Sequence, residues 1–233
     1  MKKNQIQQKN VPYHLGIIMD GNRRWAKERG KTTYQGHKAG YDKLVDVGRW
    51  AIEAGVKVVT VYAFSTENWQ RSKKEVGYLM NLLKRGVTKE LKRFKADGIK
   101  LRVIGKRSEL SQDLQAAIKR AEAETKDLTA GTLNIAINYG GRLDIIEAAK
   151  KLVRQKKSLT IENMNKAHWL ADCPDPDLII RTSGEQRLSG FMTWQAAYSE
   201  FIFLKNHWPS FTQKDFNYCV NSYCKRHRRF GGN

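Results

Sequence analysis

Six short runs rich in β-branched and aliphatic residues recur along the chain, at residues 14–19, 57–63, 100–104, 133–138, 177–181 and 200–203, and longer helical patterns separate most of them. This alternation constrains the fold more than any other feature. Strands that alternate with helices build a largely parallel sheet covered on both faces, because a parallel crossover needs a connection of helix length. The clearest helix follows the second run. There Val76, Leu79, Met80, Leu83, Val87, Leu91 and Phe94 make one apolar stripe on a single long helix, with Lys84, Arg85, Lys89, Lys92 and Lys95 on its other face. Shorter stripes at Leu44, Val47 and Ala51, at Leu114, Ile118 and Ala121, and at Leu143, Ile146, Ala149 and Val153 add three more helices. With 233 residues, 40% of them hydrophobic, the expectation is one α/β domain over 1–233, with a mainly parallel six-stranded sheet, a polar tail at 1–12 and a basic tail at 225–233.

In such a sheet, ligands bind beyond the carboxyl ends of the strands. Four of those ends are unusually polar: the first at Asp20, the second in YAFSTENWQRS, the fourth in NYGGR and the fifth in RTSGEQRLS. Lys and Arg outnumber Asp and Glu by 43 to 23, a net charge of +20, so the partner should be anionic: nucleic acid, lipid headgroups or a phosphorylated small molecule. The arginines cluster with acids at strand ends instead of alternating with aromatics along one face, which argues against nucleic acid. No segment has the apolar length of a secretory signal or a membrane span, and Cys173, Cys219 and Cys224 lack paired metal-ligand spacing. A cytoplasmic location with reduced thiols is the corresponding expectation.

After the first strand, Gly21 lets backbone approach a ligand, the following helix start offers unpaired N–H groups, and Arg23 and Arg24 add charge. Asp20 can hold a magnesium ion against phosphate oxygens. The alternative is an ordinary helix start capped by Asp20 or Asn22. At the fifth strand end, Arg181, Arg187 and Ser189 can converge on a second diphosphate, and two anion sites mean two phosphorylated substrates. Glu185 and Glu200 either pair with these bases or, for Glu200, hold a metal if Asp20 lies nearby. Phe64 and Trp69 bracket Ser65, Thr66, Glu67, Asn68 and Arg71, which suits a ligand with an apolar body and a charged head; equally, the aromatics are core and the polar residues cap the next helix. His37, after Gly36, is by itself a surface or capping residue.

Taken in order, HLGIIMDGNRRWAK, GHKAG, YAFSTENWQR, LNIAINYGGR, IIRTSGEQRLSGFMTWQAAYSE and the terminal RRFGG resemble the cis-prenyltransferase family, closest in pattern to the bacterial undecaprenyl diphosphate synthases, from His14 to Gly232. The resemblance implies magnesium-dependent, sequential condensation of isopentenyl diphosphate with an allylic diphosphate, farnesyl or geranyl, to a medium-length polyprenyl diphosphate that serves as a lipid glycan carrier precursor. It further implies that Asp20, Gly21, Asn22, Arg23, Arg24 and Trp25 grip the allylic diphosphate, that His37 and Arg71 stand near the same leaving group, and that Asp20 and Glu200 serve the metal. Arg181, Arg187, Leu188 and Ser189 match the isopentenyl diphosphate site, and Asn68 matches a position proposed for the base. The growing chain would lie in an apolar tunnel, which the small Ala63 leaves open. A homodimer is expected too, with Tyr198, Phe201 and Phe203 at its interface and the RRFGG tail reaching the partner, along with peripheral contact with a membrane surface. Thr33 and Gly190 depart from the common Arg and Asn of the family. Short-chain or irregular synthases of the same fold, and non-catalytic subunits of heteromeric prenyltransferases, are the alternatives; the latter usually lack the phosphate-gripping residues present here.

Overall fold

The computed structural model describes residues 10–226; the RRFGG segment lies outside them. Strands β1 (His14–Ile18), β2 (Val58–Ser65), β3 (Ile99–Ile104), β4 (Gly131–Tyr139), β5 (Leu178–Arg181) and β6 (Glu200–Phe203) form one sheet in the order β3-β4-β2-β1-β5-β6. Every pairing is parallel. The expected runs differ from these strands only at their ends.

The chain leaves β1 for β2 on one side and returns to its other side as β5, so the direction of winding reverses at β1 and opens a crevice at its carboxyl end. Successive side chains of β1 point to opposite faces and all are buried: Leu15 and Ile17 join one core, Ile18 the other. Helices α2 (Thr33–Ala54), α3 (Lys73–Lys89), α5 (Gln112–Thr125) and α8 (Gln213–Cys224) supply the larger core, with Val47, Val87, Ile118 and Phe216 each at most 1% exposed. Helices α6 (Gly141–Arg154) and α7 (Ile161–Ala167) form a smaller cluster through Ala148, Leu152 and Met164. A short α1 (Asn22–Glu28) bridges β1 and α2. None of the described helices is long and apolar enough to cross a membrane.

The long helix expected between the second and third strands is broken. It ends as α3 at Lys89 and resumes as α4 (Leu91–Ala96) after Glu90. Just before the break, the Thr88 hydroxyl donates back to the carbonyl of Lys84 at 2.8 Å, a bond that bends helices, and the amide of Glu90 turns to Thr88 O. An apolar stripe continues across such a joint undisturbed, which is why periodicity alone suggested one helix.

Candidate active site

Between β1 and α1, Gly21 takes φ of 100°, and a Cβ there would lie 2.5 Å from Ser183 Oγ and 2.6 Å from His207 Nδ1. Only glycine lets α1 start this close to the loop after β5. Neither Asp20 nor Asn22 caps α1, so its first turn has no side-chain partner. That removes the plain capping alternative.

Asp20 stands between two arginines. Its Oδ2 accepts from Arg181 Nη2 at 2.9 Å and its Oδ1 lies 3.1 Å from Arg24 Nη2. Burial works to raise its pKa, but these two guanidinium groups outweigh burial and hold the carboxyl below the usual range. Arg181, 4% exposed at the end of β5, also donates to Ser189 Oγ at 2.9 Å and to the carbonyl of Arg187. Arg24 extends the network to Glu185 Oε1 at 3.0 Å.

Two cavities meet here. The first, of about 820 Å³, has a polar mouth with Asp20, Gly21, Asn22, Arg23, Arg24, Thr33, His37, Asn68 and Arg71, and apolar walls from Leu44, Ala63, Leu79 and Leu83. Arg23 makes no ion pair among the described residues and is exposed. The second, of about 610 Å³, is lined by Ser65, Thr66, Glu67, Arg142, Arg181, Ser189 and the amino end of α6 at Gly140 and Gly141. Asp20, Asn68 and Arg71 belong to both.

His37 and Arg71 are held by a residue that the sequence did not single out. Glu75, on the first turn of α3 and 9% exposed, accepts from both at Oε1: His37 Nε2 and Arg71 Nη1 are each 3.1 Å away. Burial lowers the His37 pKa against the pull of Glu75, and the nearby charge of Arg71 lowers it further. Desolvation likewise weakens Arg71 as a cation despite Glu75. His37 is therefore a buried, partnered group and no surface residue. Arg142 and Tyr62 also line the second cavity without having been singled out, though NYGGR had been recognised as a polar strand end; Tyr62 donates to the carbonyl of Tyr139 at 3.2 Å.

Several expected residues sit elsewhere. Phe64 is fully buried core, and Trp69 packs edge-on against it with ring centroids 5.0 Å apart while its Nε1 donates to Asn138 Oδ1 at 2.8 Å. Neither ring lines a cavity; Phe64 follows the core reading, while Trp69 remains 40% exposed. Trp25 lies under the Arg29 guanidinium, 4.9 Å from its ring centroid, and is likewise absent from both walls. Arg187 is exposed and paired with Glu185; only its backbone reaches Arg181, and Leu188 packs inward against the smaller core.

Glu200 is not brought to Asp20. Register places it level with Leu178 and Leu15, five residues and roughly 16 Å along the strand direction from Asp20. It pairs with Arg226. A joint metal site of Asp20 and Glu200 is therefore not formed within one chain. Asn68 is present at the junction, but its Oδ1 already accepts from the Ser65 amide at 3.2 Å in a reciprocal cap. Its free group is the amino end, which donates, so the geometry speaks against a proton acceptor.

The family model for undecaprenyl diphosphate synthases, a prenyltransferase family, matches residues 18–231. The chain belongs to this family. It is similar to an isoprenyl transferase of Thermotoga maritima, 44% identical over 95% of this chain and 97% of that protein. A farnesyl-diphosphate-specific ditrans,polycis-undecaprenyl-diphosphate synthase of Haemophilus influenzae is 45% identical over 98% of each. Among solved structures, a probable undecaprenyl diphosphate synthase of Campylobacter jejuni superposes with a TM-score of 0.83 at 33% identity, covering 96% of this chain and 100% of that one. Lavandulyl diphosphate synthase of Lavandula x intermedia, in complex with dimethylallyl diphosphate, superposes with 0.91 at 35% identity, covering 95% of this chain and 99% of that one. A member of this family is a transferase.

Proposed function

We propose that the chain condenses isopentenyl diphosphate repeatedly with an allylic diphosphate, setting each new double bond cis and building a medium-length, undecaprenyl-like polyprenyl diphosphate. One observation carries this: two cavities with cationic walls share Asp20, Asn68 and Arg71, and only the first continues into an apolar interior. An allylic diphosphate suits the first, with its head at the mouth and its hydrocarbon against Leu79 and Leu83. Isopentenyl diphosphate, nearly all head, suits the second.

Cleavage of the allylic C–O bond leaves negative charge on diphosphate and positive charge on carbon. Arg23, Arg24 and the uncapped first turn of α1 stabilise the leaving group, and Arg71 and His37 close on it from the side, oriented by Glu75. Arg181, Arg142, Ser189 and the amino end of α6 hold the second diphosphate so that its double bond faces the allylic carbon across the shared wall. The new C–C bond then forms, and a proton is lost from the former isopentenyl unit. Because Asn68 presents its amino end, it serves as a donor to diphosphate, and diphosphate itself takes the proton.

Asp20 fits magnesium. It is the acid bordering both cavities, its carboxylate is 27% exposed, and Mg²⁺ takes one or two carboxylates with substrate phosphates and water completing its shell. When bound, the ion neutralises charge on the departing diphosphate. Thr33, at the mouth where many relatives carry Arg, leaves Arg23 as the compensating cation.

A second copy of the chain is the proposed partner. Strand β6 is the sheet edge, Phe201 and Phe203 stack there 6.2 Å apart, and Tyr198 is 71% exposed. The +20 charge supports contact with anionic membrane surfaces, where a long product is delivered; vesicles with and without acidic lipid should retain the protein unequally.

The test is incubation of the purified chain with farnesyl diphosphate, labelled isopentenyl diphosphate and magnesium, products being resolved by length beside Asp20→Ala. A ladder of long cis products absent from the variant is expected. Short or irregularly joined products would favour a short-chain or irregular synthase of the same fold; no product from the chain alone would favour a non-catalytic subunit.

A further inference from the structure

Beside the candidate site, but lining neither of its two cavities, stand three side chains that the proposed chemistry does not use. His207, in the segment after β6, has Ser183 Oγ 2.6 Å from its Nδ1 and Glu28 Oε1 2.7 Å from its Nε2. A carboxylate only accepts, so Nε2 donates to Glu28, and in the neutral ring Nδ1 then accepts from the Ser183 hydroxyl. The bond from His207 foremost holds the Glu28 carboxyl below its usual range. Ser183 is 6% exposed and takes φ of 81°, a backbone conformation that favours glycine and lasts only where its surroundings impose it. Here they do: its amide donates to the carbonyl of Asn206 at 2.8 Å, and the amide of Gly184 donates to that of Leu204 at 2.8 Å.

The row joins parts of the fold that carry different substrates. Glu28 closes α1, the helix that bears Arg23 and Arg24, and Ser183 opens the loop that runs from β5 to Arg187 and Ser189. Gly21, between β1 and α1, rests on both Ser183 Oγ and His207 Nδ1, which is why it has no room for a Cβ. The next residue, Trp208, donates its amide to the carbonyl of Asp20 at 2.9 Å and its Nε1 to the carbonyl of Gly40 on α2 at 2.8 Å. We infer that His207 is a positioning residue: by tying Glu28 to Ser183 it sets the spacing between the two diphosphate sites. This rests on the reading under Proposed function, which gives the allylic head to α1 and the isopentenyl head to the loop after β5. A second tie crosses the same gap, from Arg24 to Glu185 at 3.0 Å and to the carbonyl of Ser183 at 3.3 Å. That one belongs to the wall of the first cavity, and a diphosphate there competes for the Arg24 guanidinium. The His207 row lines neither cavity, so it keeps its bonds while both sites are filled, when the spacing decides whether the double bond reaches the allylic carbon.

The wild-type chain, His207→Ala, Glu28→Ala and Glu28→Gln are compared for kcat of the first condensation and for KM of farnesyl and isopentenyl diphosphates, with thermal unfolding measured on each. His207→Ala is expected to lower kcat about tenfold while each KM stays within about twofold, because each head keeps its own contacts and only their alignment is lost. Glu28→Ala gives a smaller fall of the same kind, and Glu28→Gln recovers the wild-type rate, since its carbonyl oxygen still accepts from Nε2. A role in stability alone lowers Tm in the alanine variants and leaves kcat as it was. That result overturns the inference, as does a rise in both KM values at unchanged kcat, or a Glu28→Gln variant no faster than Glu28→Ala. If His207→Ala fails to fold, the two Glu28 variants decide, because Glu28 is 56% exposed and its truncation leaves the core intact. No condensation by the wild type overturns the proposed reaction and the positioning with it.

Discussion

Replacing Asp20 with Asn tests whether the acid is a structural partner of the arginines before any substrate arrives. In the substrate-free chain the carboxylate receives two charge-assisted contacts, from Arg181 at 2.9 Å and Arg24 at 3.1 Å. Bonds to a charged acceptor contribute ~1.5–3 kcal/mol each and neutral ones ~0.5–1.5; the amide has one accepting oxygen and turns a donating NH2 to the other arginine, so it weakens one contact by about 1 kcal/mol and loses the exposed one, worth about 1, for about 2 in total. For a chain of this size that corresponds to a Tm lower by about 4–8 °C. Thermal and urea unfolding at pH 7.5, without substrate or metal, measure it. The sign with pH is also fixed. The folded pKa of Asp20 lies below its unfolded value of 3.8, so its contribution is whole above 3.8 and fades as pH falls through the folded value. The gap between wild type and variant should therefore hold near neutrality and begin to close below 3.8. An acid kept under strain for a cation alone would behave oppositely, and Asp20→Asn would then be as stable as wild type or more so. That result would refute the network described here.

His14 is buried, with Nδ1 2.6 Å from the Pro174 carbonyl and Nε2 2.7 Å from Thr60 Oγ1, and burial pushes its pKa down from 6.5 to about 4. The unfolded chain therefore takes up a proton that the folded one refuses, and roughly 3 kcal/mol of stability is lost between pH 6.5 and 4, a slope that His14→Gln should flatten in urea titrations. Glu75→Gln removes the carboxylate shared by His37 and Arg71, and KM for the allylic diphosphate should rise about tenfold, the equivalent of ~1.4 kcal/mol, and by more than KM for isopentenyl diphosphate, because His37 lines the first cavity alone while Arg71 lines both; an equal rise in both would deny His37 a part in holding the allylic head. Phe64→Ala should cost about 3–5 kcal/mol of stability as a core truncation. If instead only substrate affinity falls, the ring is a ligand wall after all.

The six strands were legible because burial on both faces of a parallel sheet forces continuous apolar runs, and such runs carry their own signal whatever they pair with. The break at Glu90 was not, because it comes from a threonine hydroxyl turning back on the helix while the apolar stripe runs on. Phe64 and Trp69 show the same limit in a different form. An aromatic beside polar residues reads alike whether it faces a ligand or the core; what separates the two is which face of β2 the ring occupies, and the register shifts in the β2–β4 pairing lie at Phe64 itself.

Within the candidate site, the rule that ligands bind beyond carboxyl ends pointed to Asp20 and Arg181, and the fold sets both at such ends, with Ser189 bonded to Arg181. Pairs joining distant segments could not. Glu75 lies 38 positions from His37, and Glu90 lies 49 positions from Tyr41; each looks like one more charged residue on the polar side of a helix until the fold sets its partner opposite. Glu200 differs in that one chain does not bring it to Asp20. Its match to a metal-serving acid carried no information on which end of β6 it would occupy, and in a parallel sheet the two ends are different places: carboxyl ends collect the anion sites, and amino ends do not. A residue type and its order in the chain therefore specify chemistry only once the strand direction is known. For Asp20 the direction and the chemistry agree, and for Glu200 within one chain they do not.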